Sequence, residues 1–103
     1  MQVWGNVWMT PCIARINPED AAVTGWILLE GLEERTRPHN AAAKHRMDVL
    51  NGIAYDAARQ RVFVTGKWWS RMYEIRIVPL PAAEQAAARE RSLSLCHARP
   101  FPV

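Results

Sequence analysis

Gly66-Lys67-Trp68-Trp69 is the stretch of this chain best placed to meet a ligand. A cation and two indoles stand where the strand-like run RVFVTGK gives way to the WWSR break. Strand ends are where side chains reach outward from a rigid scaffold. The ordinary alternatives are a solvated lysine and packed tryptophans. Trp68 and Trp69 could also stack bases, but no basic groove accompanies them, and a nucleic-acid partner is not expected. His39 and His45 are the next candidates, as a metal pair. A helical pair would sit at i, i+4, and no carboxylate or cysteine flanks them suitably, so they read as solvated loop histidines and no metal is expected. Cys12 and Cys96 match neither a zinc spacing nor a CxxC redox motif. Cys12, in an apolar run, reads as a buried core thiol. A disulfide between the two stays open, with nothing in the spacing to support it.

The elements that would position these groups are short. The chain has 103 residues, enough for one small domain. Half the residues are hydrophobic, which argues against disorder. The net charge of +3 is spread along the chain and reads as solubility. No apolar run is long enough to span a membrane, and none is expected to. The opening residues go straight into strand-like sequence without a basic and then apolar leader, so no signal peptide is expected.

From Asn51 to Pro79, three runs rich in β-branched and aromatic residues are separated by a turn at Ala57–Gln60 and by WWSR. In the last, Tyr73, Ile75 and Ile77 alternate with Glu74 and Arg76, so one face is apolar. This is the pattern of a three-stranded antiparallel meander. Upstream, Gln2–Met9, Cys12–Asn17 and Val23–Leu29 are three further strands, with a turn at Pro18-Glu19-Asp20 and a stop at Gly31. The polar segment Glu33–Arg46 reads as a surface insertion with a short helix over Ala41–Arg46. After Pro79 the sequence turns Ala/Glu/Arg-rich, with good helix propensity but only alanine for an apolar face. Residues 80–103 therefore read as an appended tail, a short helix with a disordered end, and residues 1–79 as the folded part.

Sliding the chain on itself by 61 residues aligns residues 3–18 with 64–79 and gives six identities in sixteen positions, including Gly5 with Gly66 and Trp8 with Trp69. Less the 14-residue insertion, the period is 47, close to one four-stranded propeller blade. The fold class read from this is all-β, a partial propeller of somewhat under two blades with a partly helical C-terminal tail. Such a piece would leave apolar flanks exposed, so the expectation is either a fragment of a longer protein or self-association through those flanks.

Read in order, VWGNVW, CIARINP, VTGWILLEGL, DVLNGIAYD, RVFVTGKWW and MYEIRIVP resemble the C-terminal part of the plant and bacterial type of glutaminyl cyclase, the glutaminyl-peptide cyclotransferases. The resemblance covers about Val3 to Pro79 and implies a five-bladed β-propeller. It also implies an acyltransferase-type reaction without a cofactor, in which the α-amine of an N-terminal glutamine attacks its own γ-carboxamide and ammonia leaves. The implied partner is a peptide or protein with an N-terminal glutamine. Trp8 then matches a tryptophan wall of the site, and Lys67 matches the family's lysine, with an electrostatic role at the carbonyl oxygen. Asn6 and Asn51 match recurrent asparagines with a positioning role.

The departures carry their own expectations. The family's catalytic glutamate lies in an earlier blade than those matched here, so this chain alone is expected to be inactive. Met9 and Pro11 stand where the family usually has glutamine and aspartate. Family members are usually exported, which leaves the compartment open here. The competing readings are a non-catalytic, self-associating β-fragment and a degenerate gene product.

Overall fold

Alternation of apolar and polar residues over short runs yields six strands among the described residues, arranged in two antiparallel sheets. The computed structural model describes residues 2–97. The first sheet has the order β1 (Val3–Asn6), β2 (Cys12–Ile16), β3 (Val23–Leu28). The second has β4 (Leu50–Asp56), β5 (Arg61–Gly66), β6 (Met72–Ile75). Both are simple meanders, and β1 lies against β4. The expected strands are all present; most end a residue or more early, whereas β4 begins sooner than expected, at Leu50. Among the described residues each sheet has three strands rather than the four of a full blade.

The tight connections explain themselves locally. Between β2 and β3, Asn17 accepts the Glu19 N–H at 2.9 Å and Asp20 accepts that of Ala22 at 2.9 Å. These short side chains bond their own backbone and so fold the turn. Between β4 and β5 the expected turn ends at Gln60, which takes φ 51°.

Burial puts the core between the sheets. Ile13 on β2, Ile27 on β3, Leu50 on β4 and Val64 on β5 form its buried centre. Trp4, Ile53, Trp69, Tyr73 and Ile75 pack around it. Each fully buried aliphatic of this kind contributes about 1.5–3 kcal/mol relative to leaving it exposed.

The segment after β3 departs from expectation. A helix α1 spans Leu32–Thr36 and runs into a 3-10 turn at Arg37–Asn40. No helix forms over Ala41–Arg46. Leu32 supplies the apolar anchor that the polar reading of this segment overlooked, since it packs on the core. Thr36 is fully buried, with its hydroxyl 2.8 Å from the Leu32 carbonyl and 2.7 Å from the Tyr73 hydroxyl. Gly31 precedes α1 at φ 84°, a conformation that glycine adopts without steric cost.

The C-terminal segment is helical, as expected, and longer: α2 spans Ala82–Leu95. Its last turn is not loose. Cys96, just beyond it, is disulfide-bonded to Cys12, and both residues are buried. The expectation of a free core thiol at Cys12 is therefore corrected; buried it is, but bonded across 84 residues. Arg91 adds a two-pronged ion pair to Glu30, with Nε 2.8 Å from Oε1. The expected disordered end falls at residues 98–103, outside the described residues.

No helix among the described residues is long and apolar enough to cross a membrane. Nor does any group of three or more His, Cys, Asp or Glu among them stand ready to hold a metal ion.

Candidate functional site

The connections β1–β2 and β5–β6 are built alike, and the site candidates sit in them. Asn6 lies opposite Ile13 and Thr65 opposite Met72, so each hairpin closes through six residues, 7–12 and 66–71. Each begins with a turn. The Thr10 N–H donates to the Val7 carbonyl at 3.1 Å, and the Trp69 N–H donates to the Gly66 carbonyl at 3.1 Å. The third residue of each turn takes positive φ: Met9 at 65° and Trp68 at 63°. Positive φ at that position is the type II pattern. Neither residue is glycine, and for a bulky side chain this conformation is uncommon. The hairpins thus correspond at a spacing of 59 residues, not the 61 of the best sequence match. The difference is even, so it preserves which face each strand residue occupies.

At this spacing Trp8 and Lys67 are equivalent: each is the second residue of its turn. The two turns lie at the same end of the molecule. Met9 and Trp68 line one open cavity of about 520 Å³, with Glu33, His45 and Asp48. Met9 and Trp69 line a neighbouring cavity of about 310 Å³, with Leu29, Leu50 and Leu95. Glu33 borders both cavities.

Several contacts hold the second turn. The backbone of Lys67 pairs with the segment before β4, its N–H to Val49 at 3.0 Å and its carbonyl to the Asp48 N–H at 2.9 Å. Its Nζ is 4.0 Å from Asp48 Oδ2, with both side chains about half exposed. An ion pair so exposed contributes little to stability and leaves the cation accessible. The Trp69 indole N–H donates to the Asp48 carbonyl at 2.7 Å. Gly66 lies beneath that indole, where a Cβ would fall 2.3 Å from ring atoms; here the absent side chain is a packing requirement. Asn40 clamps the turn from outside, donating to the Trp68 carbonyl at 2.7 Å and accepting the Ser70 N–H at 3.1 Å. His45 stacks on Trp68 at 3.9 Å between centroids, 24° from parallel.

The four residues singled out from sequence are placed as follows. Trp8 is 43% exposed at the first turn and Lys67 is exposed at the second. Asn6 ends β1, and its Nδ2 is buried without a hydrogen-bond partner. Asn51 is the extra residue of a β-bulge, since Leu50 pairs with Gly66 and Gly52 with Thr65. A bulge re-aims a side chain, and that of Asn51 is exposed. Topology brings all four to one end of the sheets, but none of them lines either cavity; Met9, Leu50 and Trp68, neighbours of Trp8, Asn51 and Lys67, do. Sequence reading missed Asn40, Asp48 and Glu33. Asn40 follows Pro38 in a segment that reads as featureless loop, and only the tertiary contact to Ser70 reveals it.

The two shifted carboxyls among the described residues belong to exposed pairs, Glu30 at the smaller cavity and Glu74 away from both turns. The Arg91 guanidinium hydrogen-bonded to Glu30 holds that carboxyl below its ordinary range. Arg61 does the same for Glu74, on the exposed side of the second sheet. Neither is poised as a proton carrier near neutrality, which requires a pKa close to the working pH.

Comparison with known proteins bears on this arrangement. A sequence model of the family described as glutamine cyclotransferase matches residues 1–77. A curated protein of Arabidopsis thaliana named glutaminyl-peptide cyclotransferase is 49% identical over 76 residues, 74% of this chain. The chain spans only 23% of that relative's length. The matched segment includes both turns and all four candidate residues. On this evidence the chain belongs to the glutamine cyclotransferase family.

Proposed function

We propose that the chain forms part of the site of a glutaminyl-peptide cyclotransferase, which closes the N-terminal glutamine of a peptide into pyroglutamate. The observation that carries this reading is the family match over residues 1–77, which hold both turns, beside 49% identity over 76 residues to a protein of that name. In the reaction the α-amine forms a bond to the γ-carboxamide carbon, the carbon–nitrogen bond breaks, and ammonia leaves with the proton shed by the amine. Lys67 serves as the cation beside the oxygen that gains charge. Trp8 serves as an apolar wall that keeps the bent side chain oriented and dry. Asn6 and Asn51 act as positioning groups. The transfer of the proton is carboxylate work. Asp48 is the carboxylate nearest Lys67, and it faces the ammonium rather than an enclosed pocket.

On this reading the two sheets are a sector of a propeller. If β1–β2 corresponds to β5–β6, the first sheet represents the second to fourth strands of a blade and the second sheet the first to third. Residues 1–79 form the sector and 80–103 an addition to it. The sector owns walls of the site and no proton carrier, and the chain alone does not turn over substrate. The test is ammonia release from a peptide with N-terminal glutamine, with mass spectrometry for the ring-closed product. No product above the uncatalysed rate is expected; robust turnover abolished by Lys67→Ala would overturn the inactivity and keep the site assignment.

A second reading, self-association, is favoured by the exposed apolar residues of the edge strands: Val3, Val23, Tyr55 and Met72 are 46–65% exposed. Light scattering decides it, since a monomer at all concentrations rules it out.

A further inference from the structure

We infer that α2 is a redox-latched strap on the smaller cavity, fastened by the Cys12–Cys96 disulfide and released when a small dithiol reduces that bond. The inference is independent of the proposed function, because the family match ends at residue 77 and so includes neither α2 nor Cys96.

Three attachments hold the helix, all within residues 91–96 and all at the cavity rim. Arg91 pairs with Glu30, Leu95 faces the cavity, and Cys96 is bonded to Cys12, which follows the lining residue Pro11. Elsewhere α2 is nearly unsupported. Ser92 is its only buried residue, and Leu93 is 59% exposed. The helix makes no extensive contact with any strand. An isolated helix of this length is marginal in water. An exposed ion pair holds it weakly. The disulfide is therefore the attachment on which its position depends.

Reduction balances simply. One thiolate of the dithiol attacks a cystine sulfur, the S–S bond breaks, and a mixed disulfide forms. The reagent's second thiol then closes its own ring and expels the remaining cysteine. The dithiol loses two electrons, and Cys12 and Cys96 become thiols. The sulfurs are buried, but the element covering Cys96 is the one that opens most readily, and local opening gives the reagent its path. Release removes Leu95 from the cavity wall, and the space beside Leu29 and Trp69 opens to solvent.

The test is amide hydrogen exchange on the full chain, oxidised and after dithiothreitol, with alkylation and mass counting to confirm two free thiols. Protection across residues 84–95 should fall at least about tenfold on reduction, while the strands of both sheets keep theirs within about twofold. Cys96→Ser should show the same pattern without reductant, and reoxidation of the wild-type chain should restore protection. Undiminished protection of α2 in the fully reduced chain would overturn the inference. So would joint loss of protection in α2 and both sheets, which would make the bond a staple of the whole fold; the reduced wild-type chain decides this even where the variant does not fold.

Discussion

Replacing Gly66 by alanine should be among the most damaging single-methyl additions in this protein. Gly66 is buried at the end of β5, and a Cβ there would lie 2.3 Å from both Cε2 and Nε1 of Trp69 and 2.7 Å from Cδ2. These atoms belong to the body of the indole, so a slight bend of the side chain does not relieve the clash. Ordinary contact begins at 3.4 Å, so the ring must retreat by roughly 1 Å. It is held on two sides, by the core cluster and by its 2.7 Å bond to the Asp48 carbonyl. Overpacking of this kind costs about 1–3 kcal/mol. Loss of the indole hydrogen bond adds about 1 kcal/mol. The lower entropy of the unfolded alanine chain returns about 0.4–1 kcal/mol. The net loss should be about 1–3.5 kcal/mol, which for a chain of this size lowers Tm by roughly 4–28 °C. Urea unfolding followed by tryptophan fluorescence and circular dichroism measures it, with an unchanged m-value expected. Gly31→Ala is the control: nothing lies within 4 Å of its Cβ position, and only its positive φ opposes the change, at about 1–2 kcal/mol. A loss at Gly66 below about 0.5 kcal/mol would refute the claim that packing under Trp69 requires glycine there.

The remaining predictions concern the clamp, the buried hydroxyl pair and the strap. Asn40→Ala should raise exchange of the Trp69 and Ser70 amides at least about fivefold while changing global stability by only about 1 kcal/mol, because its partners are exposed. Tyr73→Phe should cost about 1 kcal/mol, and a double-mutant cycle with Thr36→Val should show coupling of at least about 0.5 kcal/mol by urea unfolding. The Glu30 pKa is lowered by Arg91, so the pair's contribution is present above the ordinary value of 4.5 and is lost as pH falls through the depressed one. Protection of α2 should therefore stay level from neutral pH to about pH 5 and decline below it, and Arg91→Ala should remove that dependence.

How much of this was legible beforehand follows the range of the interactions involved. Strand patterns are local: Tyr73, Ile75 and the run Val62–Val64 announce their faces within a few residues, and the six strands stand where their patterns put them. Turn chemistry is local too, which is why Pro18-Glu19-Asp20 could be read as a turn, although Asn17, read as strand, proves to share in folding it. The helix α1 was missed because Leu32 and Thr36 look polar-flanked in sequence and gain their meaning from Tyr73, 37 residues away. The Cys12–Cys96 bond joins residues further apart still, and an alanine-faced helix offers no pattern that predicts where it docks.

The repeat shows the same division more finely. Identities favoured a 61-residue offset because glycine and tryptophan happen to coincide there, whereas backbone geometry favours 59, where Met9 meets Trp68 in positive φ and Val7 meets Gly66 as the accepting carbonyl. Of these two, the hydrogen-bonded register is the physical relation. It carries a consequence that the identities hide: the Gly66 position needs glycine only because Trp69 folds over it, while Val7, its counterpart, carries a full side chain and its carbonyl accepts the Thr10 hydroxyl as well. The two turns share a backbone and differ in what they present, an indole at Trp8 in one and an ammonium at Lys67 in the other. It is on this repeated scaffold, with unlike groups at like positions, that the proposed division of roles rests: Trp8 as wall and Lys67 as cation for one substrate.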